Sequence, residues 1–289
     1  MQSSEEAKAY ACEMTNRCLS AEESERRLRY FRHQFNSAID QDGKEVWRKE
    51  IERIESWLMS EQFKSGDFPR GVDELMLELV EWRAMKYAFQ NVGTEKNPFN
   101  KHIFFNQWLI GGTYAVFALL GKLISKDERD NSLRNLWGKV SPFIDRDGAC
   151  SRDEIDHINQ QLHKTGRFTN ANSKAMLFRN TTIAHNEKNT TLHWSEIDAD
   201  IHVLVRIWSI IGAWSSFGLY DPFRTPEQAF SGLAPYFNPG ELKNLREKRQ
   251  EYLHRVTQWS VNYLHSDQRD PALGIFRKWV VTAERFPCR

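Results

Sequence analysis

The run Phe178-Arg179-Asn180-Thr181-Thr182-Ile183-Ala184-His185-Asn186 places an arginine, an amide and a histidine close together in the chain. Each of these types suits phosphoryl chemistry. A histidine with a near-neutral pKa can take a proton from a ribose 2′-hydroxyl or give one to a leaving 5′-oxygen. An arginine fork can hold the charge that builds on the attacked phosphate. An asparagine beside it can orient the imidazole or bind a phosphate oxygen. Arg179, His185 and Asn180 are therefore the candidate catalytic residues, and the reaction they suit needs neither a metal nor another cofactor.

The neighbourhood of this run is locally basic. Between His163 and Lys188 the residues Lys164, Arg167, Lys174, Arg179 and Lys188 face a single acid, Glu187, among many Asn, Thr and Ser. Over the whole chain, 40 Lys and Arg balance 39 Asp and Glu for a formal charge of +1. No global basic field exists, so a nucleic-acid site has to be local. Lys164, Arg167, Lys174 and Lys188 are candidate RNA-phosphate contacts, and Trp194 is a candidate base-stacking platform. Other Arg-to-His spacings lie in different company. Arg27 to His33 and Arg249 to His254 read as solvated helix faces, and Arg152 to His157 sits among Asp145, Asp147, Glu154 and Asp156, a poor place to bring a phosphate.

The elements that must position these residues are helices. Apolar residues recur at helical spacing in Leu28, Phe31, Phe35 and Ile39; in Trp47, Ile51, Ile54 and Leu58; and in Val72, Leu75, Leu79 and Trp82. Ile197, Ile201, Leu204, Val205, Trp208 and Ile211 form another stripe, opened by a capping pattern of Ser195 and Asp198. Leu242, Leu245, Tyr252, Val256, Trp259 and Tyr263 form a further one, with Arg249 in its polar slot. Strand-like alternation is lacking, so the expected fold is all-α, a multi-helix bundle. Clusters of turn residues at 64–70, 91–98 and 221–239 mark seams. They divide the chain into an N-terminal helical segment at 1–68, a central helical domain at 70–218 and a C-terminal helical appendage at 219–289.

A length of 289 residues with 40% hydrophobic and 12% aromatic content supports a substantial core. Cys12, Cys18, Cys150 and Cys288 show no C-x-x-C pairing and read as reduced thiols, which with an N-terminus lacking an export-signal pattern suggests a cytoplasmic protein. Residues 103–121 carry no charge and approach the length of a membrane span. Asn106, Gln107, Gly111, Gly112, Thr113 and Tyr114 interrupt the run, which favours a buried central helix with close-packing small residues and no membrane insertion. Asp145, Asp147 and Glu154 echo a calcium loop, but Phe143 stands where its first ligand is required. The segment reads instead as an Asp-Gly turn followed by the capping box Ser151 to Glu154. Most tryptophans, including Trp47, Trp82, Trp208 and Trp259, fall on apolar stripes and read as core or interface.

The motif Arg179-Asn180 with His185, preceded by an apolar residue and followed by Asn186, resembles the R-x4–6-H signature of the HEPN superfamily of helical ribonucleases and RNA-binding proteins. The flavour is that of the abortive-infection or toxin type. The resemblance covers about residues 72–218 and is specific over some ten of them. It implies a HEPN-like central helical core, with residues 103–121 and 197–217 as the helices flanking the motif. It also implies a metal-independent endoribonuclease leaving 2′,3′-cyclic phosphate ends, used as a prokaryotic defence or toxin effector. A catalytically silent HEPN-like module that binds RNA or a protein as sensor or scaffold is the alternative. One subgroup carries a tyrosine two residues after the histidine as a modification target; Glu187 stands there instead.

On a continuous α-helix the six residues from Arg179 to His185 place the two side chains about 120° apart around the axis and about 9 Å along it. One helix does not aim both at the same atom. A two-fold interface brings symmetry copies together, so a homodimer is the expected assembly. The resemblance implies RNA and an antitoxin or defence partner protein as further partners.

Overall fold

The computed structural model describes residues 1–15, 21–65, 71–91, 103–183, 192–216 and 229–264. All of the regular structure among them is helical, eleven α-helices with one π-helical and one 3-10 turn, so the fold is all-α. The helices divide between two compact units, residues 16–71 and residues 1–15 with 72–289.

The smaller unit contains α2 (Ala21–Ser37), α3 (Gln41–Met59) and the short α4 (Glu61–Ser65). Asp40 starts α3 by accepting from the Gly43 amide, satisfying one of the free donors of the first turn. Phe31 stacks on Trp47 with ring centroids 5.8 Å apart, and Ile54 is buried. The periodic stripe of α2 stops earlier than its spacing suggests. Ile39 lies past the helix end and is 99% exposed.

The larger unit holds α1 (Ser4–Thr15), α5 (Val72–Asn91), α6 (Ile103–Leu123), α7 (Leu133–Arg146), α8 (Arg152–Leu162), α9 (Lys174–Phe178), α10 (Trp194–Ser216) and α11 (Pro239–Leu264). Two of the expected boundaries fall differently. Helix α1 buries Ala7 and Ala11 in this unit's core and packs on α7 and α10, so it belongs with the larger unit. Helix α11 lies along α5 and α10 and contributes Tyr252, Leu253 and Val256 to the same core instead of standing apart.

The central helix is α5. It buries Val72, Leu75, Met76, Leu79, Val80, Ala84 and Ala88 together with the charged Asp73, Arg83 and Lys86. A helix enclosed on several sides must satisfy such groups internally. Arg83 makes a bidentate pair with Asp198 on α10 at 2.7 and 2.8 Å, and Asp73 accepts from the buried Trp208 indole at 2.9 Å. Arg249 of α11, far from being a solvated residue, is buried and makes a bidentate pair with Glu81 of α5, both bonds at 2.7 Å.

Helix α6 is not the buried central helix its uncharged sequence suggests. Val116, Phe117, Leu119, Leu120 and Leu123 face the core, whereas Ile103, Ile110 and Tyr114 are largely exposed. Its small residues do permit close packing: a Cβ on Gly112 would meet the Trp82 ring at 2.8 Å. No helix among the described residues is long and apolar enough to cross a membrane.

Side-chain caps set several helix starts. Ser132 accepts from Asn135 at α7, and Ser151 accepts from Glu154 at α8 after the positive-φ Gly148. Asn238 and Glu241 bond each other's backbone amides reciprocally around Pro239 at α11. At α10 the cap shifts by two residues from the expected Ser195 and Asp198. The His193 amide donates to the Glu196 carboxylate at 3.0 Å, which leaves Asp198 free to hold Arg83.

Candidate functional site

The segment carrying Arg179 is anchored from two sides before its own chemistry begins. Ser173 caps α9 by accepting from the Met176 amide at 3.0 Å, and its hydroxyl donates to Asp200 of α10 at 2.5 Å. Asp200 is 1% exposed and also receives Arg167 Nε at 2.5 Å. Burial pushes the Asp200 carboxyl above its ordinary range, against the hydroxyl and guanidinium that stabilise its charge. On the other side Phe178 packs on Phe117 of α6, with ring centroids 5.1 Å apart.

After Phe178 the chain does not continue as an α-helix. Residues Arg179–Ile183 form a π-helical turn, so the α-helical spacing from Arg179 towards His185 does not apply. Single π turns store an unfavourable hydrogen-bond geometry and recur at functional positions. Thr181 ties this one back through its hydroxyl to the Leu177 carbonyl at 2.8 Å.

The half-buried Arg179 side chain crosses to the last turn of α6. A Cβ on Gly121 would stand 2.5 Å from Arg179 Nε and 2.6 Å from Nη2, so the absence of a side chain there makes room for the guanidinium. Nη1 donates to Asn180 Oδ1 at 2.8 Å, and Asn180 Nδ2 donates to Asn170 Oδ1 at 2.6 Å. No carboxylate among the described residues pairs with Arg179. This distinguishes it from Arg83, Arg167 and Arg249, whose charges are matched by Asp198, Asp200 and Glu81. The arrangement is a positioned guanidinium, oriented by two amides, with hydrogen-bonding capacity left for an anion.

The other candidates divide. Arg167 is committed to Asp200 and fastens the loop after α8 to α10. Lys174 pairs with Glu196 at 2.5 Å, while Lys164 is exposed. Trp194 offers its ring to protein cations: Arg83 Cζ lies 4.9 Å and Lys86 Nζ 5.1 Å from the ring centroid. Lys86 is itself buried and donates to the Leu109 carbonyl, and burial with the neighbouring Arg83 charge lowers it to about 8. His185 and Lys188 lie outside the described residues. Arg152 of the acidic Arg-to-His pair is bound to Asp145 and Asp156.

Gly121 and Asn170 contribute to the site without any sequence signal of their own. The glycine ends an apolar run, the asparagine lies in a polar loop, and only their contacts with Arg179 and Asn180 give them a role. Comparison of the chain with models of known families, with curated proteins and with solved structures finds no match.

Proposed function

We propose that this chain is a metal-independent endoribonuclease of the HEPN type, acting in the cytoplasm as a defence or toxin effector. The observation that carries the reading is Arg179: a guanidinium positioned by Gly121 and Asn180, with no carboxylate partner among the described residues, in the turn that precedes His185 in sequence. In this reading Arg179 binds a non-bridging phosphate oxygen and stabilises the charge that develops as the ribose 2′-oxygen attacks phosphorus. His185 accepts the 2′-hydroxyl proton or donates one to the departing 5′-oxygen. A single imidazole does not hold both protonation states at once, so a second copy's His185 in a homodimer supplies the complementary role. The phosphodiester bond to the 5′-oxygen breaks as the new bond to the 2′-oxygen forms, which leaves a 2′,3′-cyclic phosphate and a free 5′-hydroxyl. A neutralising antitoxin or a defence partner completes the biological setting.

The test is cleavage of a mixed RNA pool in EDTA by the parent protein and by His185→Ala, with analysis of the fragment ends. Cleavage by the parent that leaves cyclic phosphates, and falls by about 10²–10⁴-fold in the variant, is the expected result. Equal cleavage by both proteins, or sensitivity to the chelator, rejects it.

A further inference from the structure

Three elements bring cations together at the end of α6 remote from its exposed Ile103. Lys126 lies just past the end of α6, after Ile124 and Ser125. Arg134 stands in the first turn of α7 and donates through Nη2 to the carbonyl of Leu162, the last residue of α8. Lys164 comes two residues later, at the same helix end. Lys122 occupies the last turn of α6 next to Gly121, the residue against which Arg179 rests.

Lys122, Lys126, Arg134 and Lys164 form no ion pair with a carboxylate among the described residues. Of the three acids in the intervening turn, Asp127, Glu128 and Asp130, none pairs with these cations, and two are engaged elsewhere. Asp127 is bound by Arg129 at 2.6 Å, and Asp130 accepts from the Ser125 hydroxyl at 2.5 Å. Partial burial, then Arg134 and Lys164, hold the Lys126 ammonium below its usual range, which agrees with like charges gathered without compensation.

The loop after α8 connects this group to Arg179. Asn172 donates to the carbonyls of Thr165 and Gly166 at 2.9 and 2.8 Å, which shapes the loop. From the loop Asn170 accepts from Asn180, which holds Arg179. The loop that carries Lys164 and Asn170 thus joins the cation group to the Asn180–Arg179 pair, and Lys122 follows Gly121 on the helix that receives Arg179.

We infer that Lys122, Lys126, Arg134 and Lys164 form a phosphate track for a single-stranded RNA leading away from Arg179. The inference rests on the reading of Arg179 as a phosphate ligand and names the substrate's path beyond it. Cations from separate turns follow a backbone, while amide side chains between them can bond the edges of unpaired bases, a combination that suits single strands.

The test is the salt dependence of binding to a short fluorescent 2′-O-methyl RNA, which lacks the attacking hydroxyl and so reports binding without cleavage. Parent protein is compared with Lys126→Ala/Lys164→Ala and with Lys243→Ala, a control on α11. Circular dichroism confirms that all three are folded. Each phosphate contact on a single strand contributes about 0.7 to the slope of log affinity against log salt. The double variant is expected to lose about 1.4 from that slope, with the control unchanged. An unchanged slope in the double variant, or no binding by the parent at low salt, overturns the track. The two readings separate cleanly: a slope loss without cleavage of ordinary RNA keeps the track and removes the ribonuclease, whereas cleavage with an unchanged slope does the reverse.

Discussion

The guanidinium of Arg179 occupies the space that a side chain on Gly121 would need, with Nε 2.5 Å from the position of the missing Cβ. Gly121→Ala should therefore displace the flexible end of Arg179 while leaving the backbone of α6 intact. Alanine is the better helix former by up to about 1 kcal/mol, so the variant should be as stable as the parent or slightly more so. RNA cleavage should fall at the same time. Urea unfolding and a cleavage assay on one preparation check this dissociation, and full activity in the variant would show that the contact is not functional.

Arg179→Lys keeps the charge and loses the planar fork that bonds Asn180 and, in the proposed mechanism, a phosphate oxygen. Cleavage should drop about 10²–10³-fold, the scale seen when one preorganised donor to a developing oxyanion is lost. Half-burial, with no carboxylate partner among the described residues, predicts little change in stability. A large fall in the unfolding midpoint would instead assign Arg179 a structural role.

Asp198 holds two buried groups, accepting two bonds from Arg83 and one from the Tyr252 hydroxyl at 2.8 Å. Asp198→Ala leaves the Arg83 charge enclosed by Tyr87, Trp194 and Tyr252 without its counterion. The expected loss is about 3–5 kcal/mol. Arg83→Met introduced on top of it should recover most of that loss, because the cost comes from the stranded charge. Chemical denaturation of both variants supplies the comparison.

Lys86 gives stability an unusual pH dependence. Its folded pKa is lowered to about 8 from 10.5, so between those values the unfolded chain binds the proton more often than the folded one. Stability linked to this group must rise with pH through that window, and the cost of burying the ammonium stays fully present below it. Urea midpoints measured from pH 7 to 10 on the parent and on Lys86→Met should diverge in slope. The parent should gain with pH relative to the variant. Parallel curves would place the Lys86 pKa near its ordinary value.

The all-α fold was legible because apolar spacing reports the face each helix turns to the core. Leu28 and Phe31, Leu75 and Leu79, and Ile201 and Trp208 are all buried where periodicity puts them. Capping was legible where the cap is a hydroxyl or amide of ordinary type, as at Ser151. It was missed at α10, where a histidine backbone and Glu196 close the first turn. The rank of the helices in the core was not readable. Helix α5 carries six charged residues between Asp73 and Lys86, and its burial depends on partners more than a hundred residues away, Asp198 and Arg249. Helix α6 lacks charge over most of its length and still exposes Ile103, Ile110 and Tyr114.

At the candidate site, the types and spacing of Arg179, Asn180 and His185 suggest the proposed chemistry from sequence alone, while the pairing of the other cations is visible only in the structure. Arg167 and Lys164 are equivalent in composition and differ in fate because Asp200 lies opposite one of them. The face of Trp194 is likewise taken by Arg83 and Lys86 from α5, a contact that no local pattern announces.

The two bidentate arginine pairs lie on opposite partners of α5: Arg83 reaches out to α10, and Glu81 receives Arg249 from α11. Apolar ridges tolerate a shift of register, since one methyl-lined groove resembles the next. Forked guanidinium pairs do not, and sliding α5 by one turn, about 5.4 Å, would sever both. These three helices therefore form a keyed block in which longitudinal ratcheting is blocked. The π turn that carries Arg179 lies outside this block and is tied to it through Ser173 and Asp200.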